Sequence, residues 1–160
     1  MKVQDVMVGA PVFCSPETNL AAAVEMFWNR NCGILPVLGS GGKLQGVITD
    51  RDVCIALGTR NRLASDLTVA EVMTGRLASC CEGDDIRSAV EAMRREGVRR
   101  LPVIGADGTL KGILSMDDLV RHSSNSGSNP ELSYEEVMTA FKSIYTNQLP
   151  KIVRTNSAAA

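Results

Sequence analysis

An α+β fold made of two copies of one small unit, each a short sheet packed with two helices, is the architecture this sequence predicts. Two observations carry it. Positions 66 apart match without a gap over about fifty residues: Asp5-Val6-Met7-Val8-Gly9 answers Glu71-Val72-Met73-Thr74-Gly75, Leu35-Pro36-Val37-Leu38-Gly39 answers Leu101-Pro102-Val103-Ile104-Gly105, and Gly46-Val47-Ile48-Thr49 answers Gly112-Ile113-Leu114-Ser115. Within each copy the apolar period switches from helical to extended at matching positions.

Taken in order, each copy opens with a short extended lead-in, near Val12 or Ala78. Leu20, Val24 and Phe27, and again Ile86, Val90 and Met93, recur at i, i+4 and i+7, the spacing of a buried helical face. The apolar runs Ile34 to Leu38 and Leu44 to Ile48 flank Gly39-Ser40-Gly41-Gly42 and read as a hairpin; Ala106-Asp107-Gly108 turns its counterpart. Pro36 and Pro102 lack N–H donors and suit a sheet edge, either left open toward a ligand or simply protected. Helix signals return at Asp50 to Leu57 and Met116 to Arg121.

A unit of about sixty residues buries only about 60% of its unfolded surface, so the copies are expected to share a core, sheet against sheet, about a pseudo-twofold axis. The pair spans 1–122, with repeat one at about 1–60 and repeat two at about 67–122, and 58–66 bridging them. Residues 123–132, rich in Ser, Asn and Gly, read as a flexible linker. A last helix is predicted over 133–146, capped by Ser133 and Glu136, with Tyr134, Val137, Met138, Phe141, Ile144 and Tyr145 in one stripe. The tail 150–160 is expected to lack order.

Composition excludes several function classes. Seventeen Lys and Arg balance eighteen Asp and Glu, so no basic surface is available for nucleic acid or an anionic membrane, and any anion site must be local. The chain offers no apolar run long enough to span a bilayer and no signal segment, which points to the cytoplasm. Five cysteines, Cys14, Cys32, Cys54, Cys80 and Cys81, form no C-x-x-C pair and read as reduced and mostly core. With a single histidine, His122, there is no metal-ligand cluster and no nucleophile-base pair. His122 reads instead as a favourable charge near a helix C-terminus.

The chemistry that remains lies at two strand-to-helix junctions, Gly46-Val47-Ile48-Thr49-Asp50-Arg51-Asp52 and Gly112-Ile113-Leu114-Ser115-Met116-Asp117-Asp118. Thr49 and Ser115 fall at helix N-caps, where a hydroxyl and free N–H groups can face a phosphate. Asp52 and Asp118 follow in the first turn, with two acceptor oxygens suited to the cis-diol of a ribose. Plain capping and a carboxylate on the helix dipole account for either junction alone.

With their h-P-V strands, these two motifs resemble those of CBS domains, over about Lys2 to Arg121. The resemblance implies a paired regulatory module and no enzyme, with adenine held in the cleft between repeats by the lead-in and h-P-V strands. Carried over, those are Val12 to Cys14 with Ile34, Pro36 and Val37, and Ala78 to Cys80 with Arg100 and Pro102. Arg99 and Arg100 stand where family members often place phosphate-binding residues, so the cleft of Ser115 and Asp118 is expected to be the better phosphate site; the alternative is that, with Arg94 and Arg95, they form a solvated basic face. Arg51 is a further candidate for the first cleft, the alternative being a surface ion pair with a neighbouring Asp. The implied ligand is an adenine nucleotide, AMP, ADP or ATP, acting as a signal and not a cofactor; S-adenosylmethionine and a ligand-free protein-interaction module are the alternatives. A homodimer is implied as well, through exposed helix residues such as Phe27 and Trp28, together with an unknown regulated protein.

Overall fold

The structure, a computed structural model, describes residues 1–75, 77–125 and 130–148. Strand β1 (Val8–Gly9) is followed by α1 (Leu20–Arg30), the hairpin β2 (Ile34–Leu38) and β3 (Leu44–Thr49), and α2 (Asp50–Arg60). The second copy runs β4 (Cys80–Cys81), α3 (Ile86–Glu96), β5 (Arg100–Ile104), β6 (Leu110–Ser115) and α4 (Met116–His122), and α5 (Tyr134–Gln148) closes the described chain. Local chemistry sets the ends of the first helix of each copy. The Asn19 side chain accepts from the Ala22 N–H and Asp85 from Arg87, while Asn31 and Gly97 stop α1 and α3 in the left-handed conformation. His122 is the last residue of α4, its Nδ1 2.9 Å from the Asp118 carbonyl oxygen.

Neither copy completes its own sheet. Repeat two has the strand order β1-β6-β5-β4, and β1 comes from the start of the chain, with Val8 opposite Ile113. Repeat one returns the exchange: Thr74 bridges Val47 on β3, each N–H donating to the other's carbonyl at 2.9 and 3.2 Å. The other edge stays within each copy, Cys14 pairing in parallel with Val37 and Cys80 with Val103. Lys2 bridges Asp85 and Asn19 bridges Thr68, which are the same contact seen from the two copies, while Lys43 bridges its own counterpart, Thr109. The pseudo-twofold axis therefore passes beside Lys43 and Thr109.

The exchange explains the glycine of each junction motif. A Cβ on Gly112 would stand 2.7 Å from the Val8 carbonyl oxygen and 2.7 Å from Met7 Sδ; on Gly46 it would meet Met73 Sδ at 2.9 Å and the Thr74 oxygen at 3.0 Å. The crossing strand needs that space. It also revises the expected shared core. Two separate clusters form, each sealed by residues of the other copy: Leu67 and Val69 in the first, Val3 and Val6 in the second, all four fully or almost fully buried. Cys14 and Cys80 are buried in these clusters, whereas Cys54 and Cys81 are exposed, so the cysteines are less uniformly core than the sequence suggested.

Three further expectations are corrected. Pro36 and Pro102 do not lie on outer strands, since β2 runs between β3 and Cys14, and β5 between β6 and β4, and the lead-in side is open only at the prolines themselves. Phe27 is buried at 8% exposure; its neighbour Trp28, at 85%, is the open residue. Val24 is 42% exposed although its counterpart Val90 is only 7%. The last difference has a cause: α5 lies across α3 and α4, and α1 and α2 have no such cover from the described chain.

Helix α5 buries Val137, Ala140 and Ile144 against repeat two and leaves Tyr134, Met138 and Tyr145 of the predicted stripe exposed. Ser133 and Glu136 form the expected cap, the Glu136 carboxylate accepting from the Ser133 N–H at 2.8 Å. Within the linker, the Ser124 N–H donates to the Leu132 carbonyl at 3.0 Å and Leu132 is buried, so its ends are tied to the fold. Residues 126–129 and the tail 150–160 lie outside the described residues.

Two outcomes follow. Gly112→Ala will lower stability by about 1–3 kcal/mol through overpacking against backbone, whereas Gly58→Ala, in an exposed stretch of α2 with open space around it, will raise it by about 0.5–1 kcal/mol. Denaturant midpoints read both. Glu136 is held down to about 2 by the Arg87 side chain, 2.7 Å away, and by the Ser133 N–H. Its folded value lies below the unfolded one, so the stability it contributes is complete above the ordinary value of 4.5 and is lost as pH falls through about 2. Glu136→Gln will therefore lose less stability than the parent over that range, measured by thermal unfolding.

Candidate functional site

Each junction motif folds into a reciprocal brace. Thr49 ends β3 with extended backbone and caps α2: its hydroxyl oxygen accepts from the Asp52 N–H at 3.2 Å, and Asp52 Oδ2 accepts from the Thr49 N–H at 2.9 Å and its O–H at 2.6 Å. Ser115 and Asp118 repeat this at 3.2, 2.9 and 2.5 Å. The hydroxyl is thus spent on the cap and one carboxylate oxygen on the brace. Among the described residues neither Oδ1 has a hydrogen-bond partner, so each Asp keeps one oriented acceptor. Asp118 is 6% exposed and Asp52 is half-buried.

The braces open into two clefts built by opposite copies. Thr49 and Asp52 line a cleft of about 620 Å³ whose facing wall is Ala78, Val98, Arg99, Arg100 and Pro102 of repeat two. Ser115 and Asp118 line one of about 410 Å³ against Val12, Gly33 and Ile34 of repeat one, with Arg30, Arg100 and Arg121 at its margin. A lobe of about 480 Å³ shares Thr49, Arg99 and Arg100 with the larger cleft and adds Arg51 and Asp50. Among the described residues, Arg51, Arg99 and Arg100 take part in no ion pair. Arg51, Arg99 and Arg100 therefore border one continuous space together with the carboxylates of Asp50, Asp52 and Glu96.

The strand exchange produces this cross-construction. The chain leaves the sheet of repeat two at Gly9, turns through Ala10 at φ +48°, and reaches the sheet of repeat one at Cys14, so Pro11 and Val12 cross between the copies. Proline then matters for a reason other than edge protection. The Cys14 N–H donates to the Pro36 carbonyl and Leu38 N–H to the Cys14 carbonyl; the next rung would join Pro36 N–H to the Val12 carbonyl, and Pro36 has none to give. The ladder stops, leaving Val12 on the cleft wall. Pro102 stands in the same relation to Ala78, because Cys80 pairs with Val103 as Cys14 pairs with Val37.

Several sequence expectations are rearranged by this geometry. Each lead-in lines the cleft of the other copy's cap. Arg99 lies in the cleft of Thr49 and Asp52, not in that of Ser115 and Asp118, and Arg100 borders both. Ile34, Val12, Ala78 and Pro102 line clefts. Pro36, Val37, Cys14 and Cys80 are buried behind them, and burial pushes the Cys14 thiol up to about 11 and Cys80 up to about 12, which makes both unreactive. Sequence reasoning missed Arg30, Arg121 and Val98, which carry no motif. It also missed the braces, although [ST]-x-x-D at a helix start is their signal.

The CBS domain profile matches residues 3–59 and 69–125. The chain belongs to the CBS domain family. Its pair is similar to CBS domain-containing protein YhcV of Bacillus subtilis, at 30% identity over 132 residues, covering 82% of this chain and 92% of that protein. It is also similar to part of the inosine-5′-monophosphate dehydrogenase of Mycobacterium leprae, at 34% identity over 116 residues, covering 72% of this chain and only 21% of the enzyme. Among solved structures, CBSX2 in complex with AMP superposes with a TM-score of 0.65 at 27% identity, covering 75% of this chain and 93% of that one. No described helix of the CBS pair is long and apolar enough to cross a membrane.

Proposed function

We propose that this CBS pair is a regulatory ligand-sensing module, without catalytic activity, that takes an adenine nucleotide such as AMP, ADP or ATP in the clefts between its repeats. The observation that carries the reading is the juxtaposition, in one cleft, of the half-engaged Asp52 carboxylate with the guanidinium groups of Arg99 and Arg100, which take part in no ion pair among the described residues. Asp52 Oδ1 suits a ribose hydroxyl donor. Ile34 and Val98 offer apolar surface to a flat base, and the Ala78 carbonyl, which Pro102 cannot satisfy, suits the adenine amino group. Arg99 and Arg100 suit the phosphates, with the lobe beside Arg51 as room for more than one.

On this reading the cleft of Thr49 and Asp52, and not that of Ser115 and Asp118, is the tighter nucleotide site. Gly33 stands in the second cleft where Arg99 stands in the first. The pair associates as a homodimer through the uncovered face of α1 and α2, where Val24, Trp28 and Ile55 are exposed, and works in the cytoplasm on a partner protein that reads the bound state. In the relative with AMP bound, the nucleotide is part of that protein's crystal structure; here AMP is the first ligand to test.

Titration calorimetry with AMP, adenosine, 2′-deoxy-AMP and S-adenosylmethionine is the experiment. AMP will bind, and loss of the 2′-hydroxyl will weaken it by about 5- to 150-fold. Asp52→Ala will remove the tighter event while Asp118→Ala leaves it. Equal binding of AMP and 2′-deoxy-AMP would contradict the role of Asp52, and S-adenosylmethionine binding above AMP would replace the nucleotide as ligand. Silence from all four would leave the protein-interaction module as the reading.

A further inference from the structure

Helix α5 lies outside both CBS repeats, yet it touches an arginine that lines the Thr49 and Asp52 cleft. Arg99 NH1 donates to the Tyr145 hydroxyl at 3.1 Å, and its guanidinium carbon lies 5.7 Å from the centre of the Tyr145 ring. Phe141 backs Tyr145 with ring centres 4.7 Å apart and is itself packed on the core of repeat two. Arg99 is an exposed side chain with several rotatable bonds, so it would otherwise sample many positions.

The chemistry of the holder matters. A carboxylate in place of Tyr145 would fix Arg99 but cancel its charge. A phenol face and hydroxyl fix it with the charge intact. Arg99 is in no described ion pair, whereas Arg62, Arg87, Arg94 and Arg95 all are. In the other repeat the counterpart of Arg99 is Gly33, and α1 and α2 carry no described helix like α5. The fixed arginine and its holder therefore occur together, at one cleft.

We infer that Tyr145 is a positioning residue, through which α5 preorganises Arg99 for the phosphate of a nucleotide in the Thr49 and Asp52 cleft. Tyr145 itself touches no ligand. The inference rests on the nucleotide reading above and adds to it a coupling: docking of α5 strengthens phosphate binding, and by thermodynamic reciprocity a bound phosphate strengthens docking of α5.

The test is calorimetry of the full chain and its Tyr145→Ala, Tyr145→Phe, Arg99→Ala and doubly substituted variants with AMP and with adenosine. Tyr145→Ala will weaken AMP by about 3- to 10-fold and leave adenosine unchanged. Tyr145→Phe, which keeps the ring, will fall between. In the Arg99→Ala background Tyr145→Ala will have no further effect, since the two act as one unit. Equal weakening of AMP and adenosine would reveal a merely structural role and overturn the inference, as would additive effects of the two substitutions. If the parent binds AMP and Tyr145→Ala does not alter it, the coupling fails while the nucleotide reading stands; if the parent binds no AMP, both fall.

Discussion

Each repeat lends the other a strand, and most of the structure depends on that loan. Val8 lies on Ile113 and Thr74 on Val47, so neither sheet is complete without the other copy. Val3 and Val6, and Leu67 and Val69, follow those strands into the opposite cores. A unit of this size is marginal alone, and the exchange makes each core conditional on both copies being folded. Gly46 and Gly112 are the local condition for it, because any Cβ there would meet the arriving backbone or the methionine beside it.

The clefts are a by-product of the same exchange. A chain that starts on one sheet and continues on the other must cross the space between them, and Val12 and Ala78 are where it does so. Proline in the facing strand stops the parallel ladder before the crossing, so the Val12 and Ala78 carbonyls receive no donor from it. The braces of Thr49 with Asp52 and Ser115 with Asp118 supply oriented carboxylates from the opposite side. Pseudo-symmetry gives two such places, and side chains then make them unequal. Arg99 has a glycine as its counterpart, and α5 covers only one pair of helices.

The repeat, the hairpins and the helices were legible because periodicity and the 66-residue offset are local properties of the sequence. So was the placement of Thr49, Ser115 and both aspartates at the two strand-to-helix junctions. What was not legible was which copy faces which. An offset pattern is satisfied equally whether Val12 serves its own repeat or the other, and only the register of Val8 on Ile113 decides. Likewise Phe27 and Trp28 are adjacent apolar residues on one helix, and the rotation of about 100° between them separates a buried ring from one that is 85% exposed. Contact between Arg99 and Tyr145 spans 46 residues with no motif to announce it.

The central claim is that crossed lead-ins create a nucleotide cleft in which one copy supplies the carboxylate and the other the arginines. A crystal structure of the full chain grown with AMP tests it most directly. The account predicts AMP between the repeats, with its ribose on Asp52, its base beside Ala78 and Ile34, and its phosphate within reach of Arg99 and Arg100. AMP bound outside this cleft, or with ribose and phosphate held by residues of the same repeat, would contradict it.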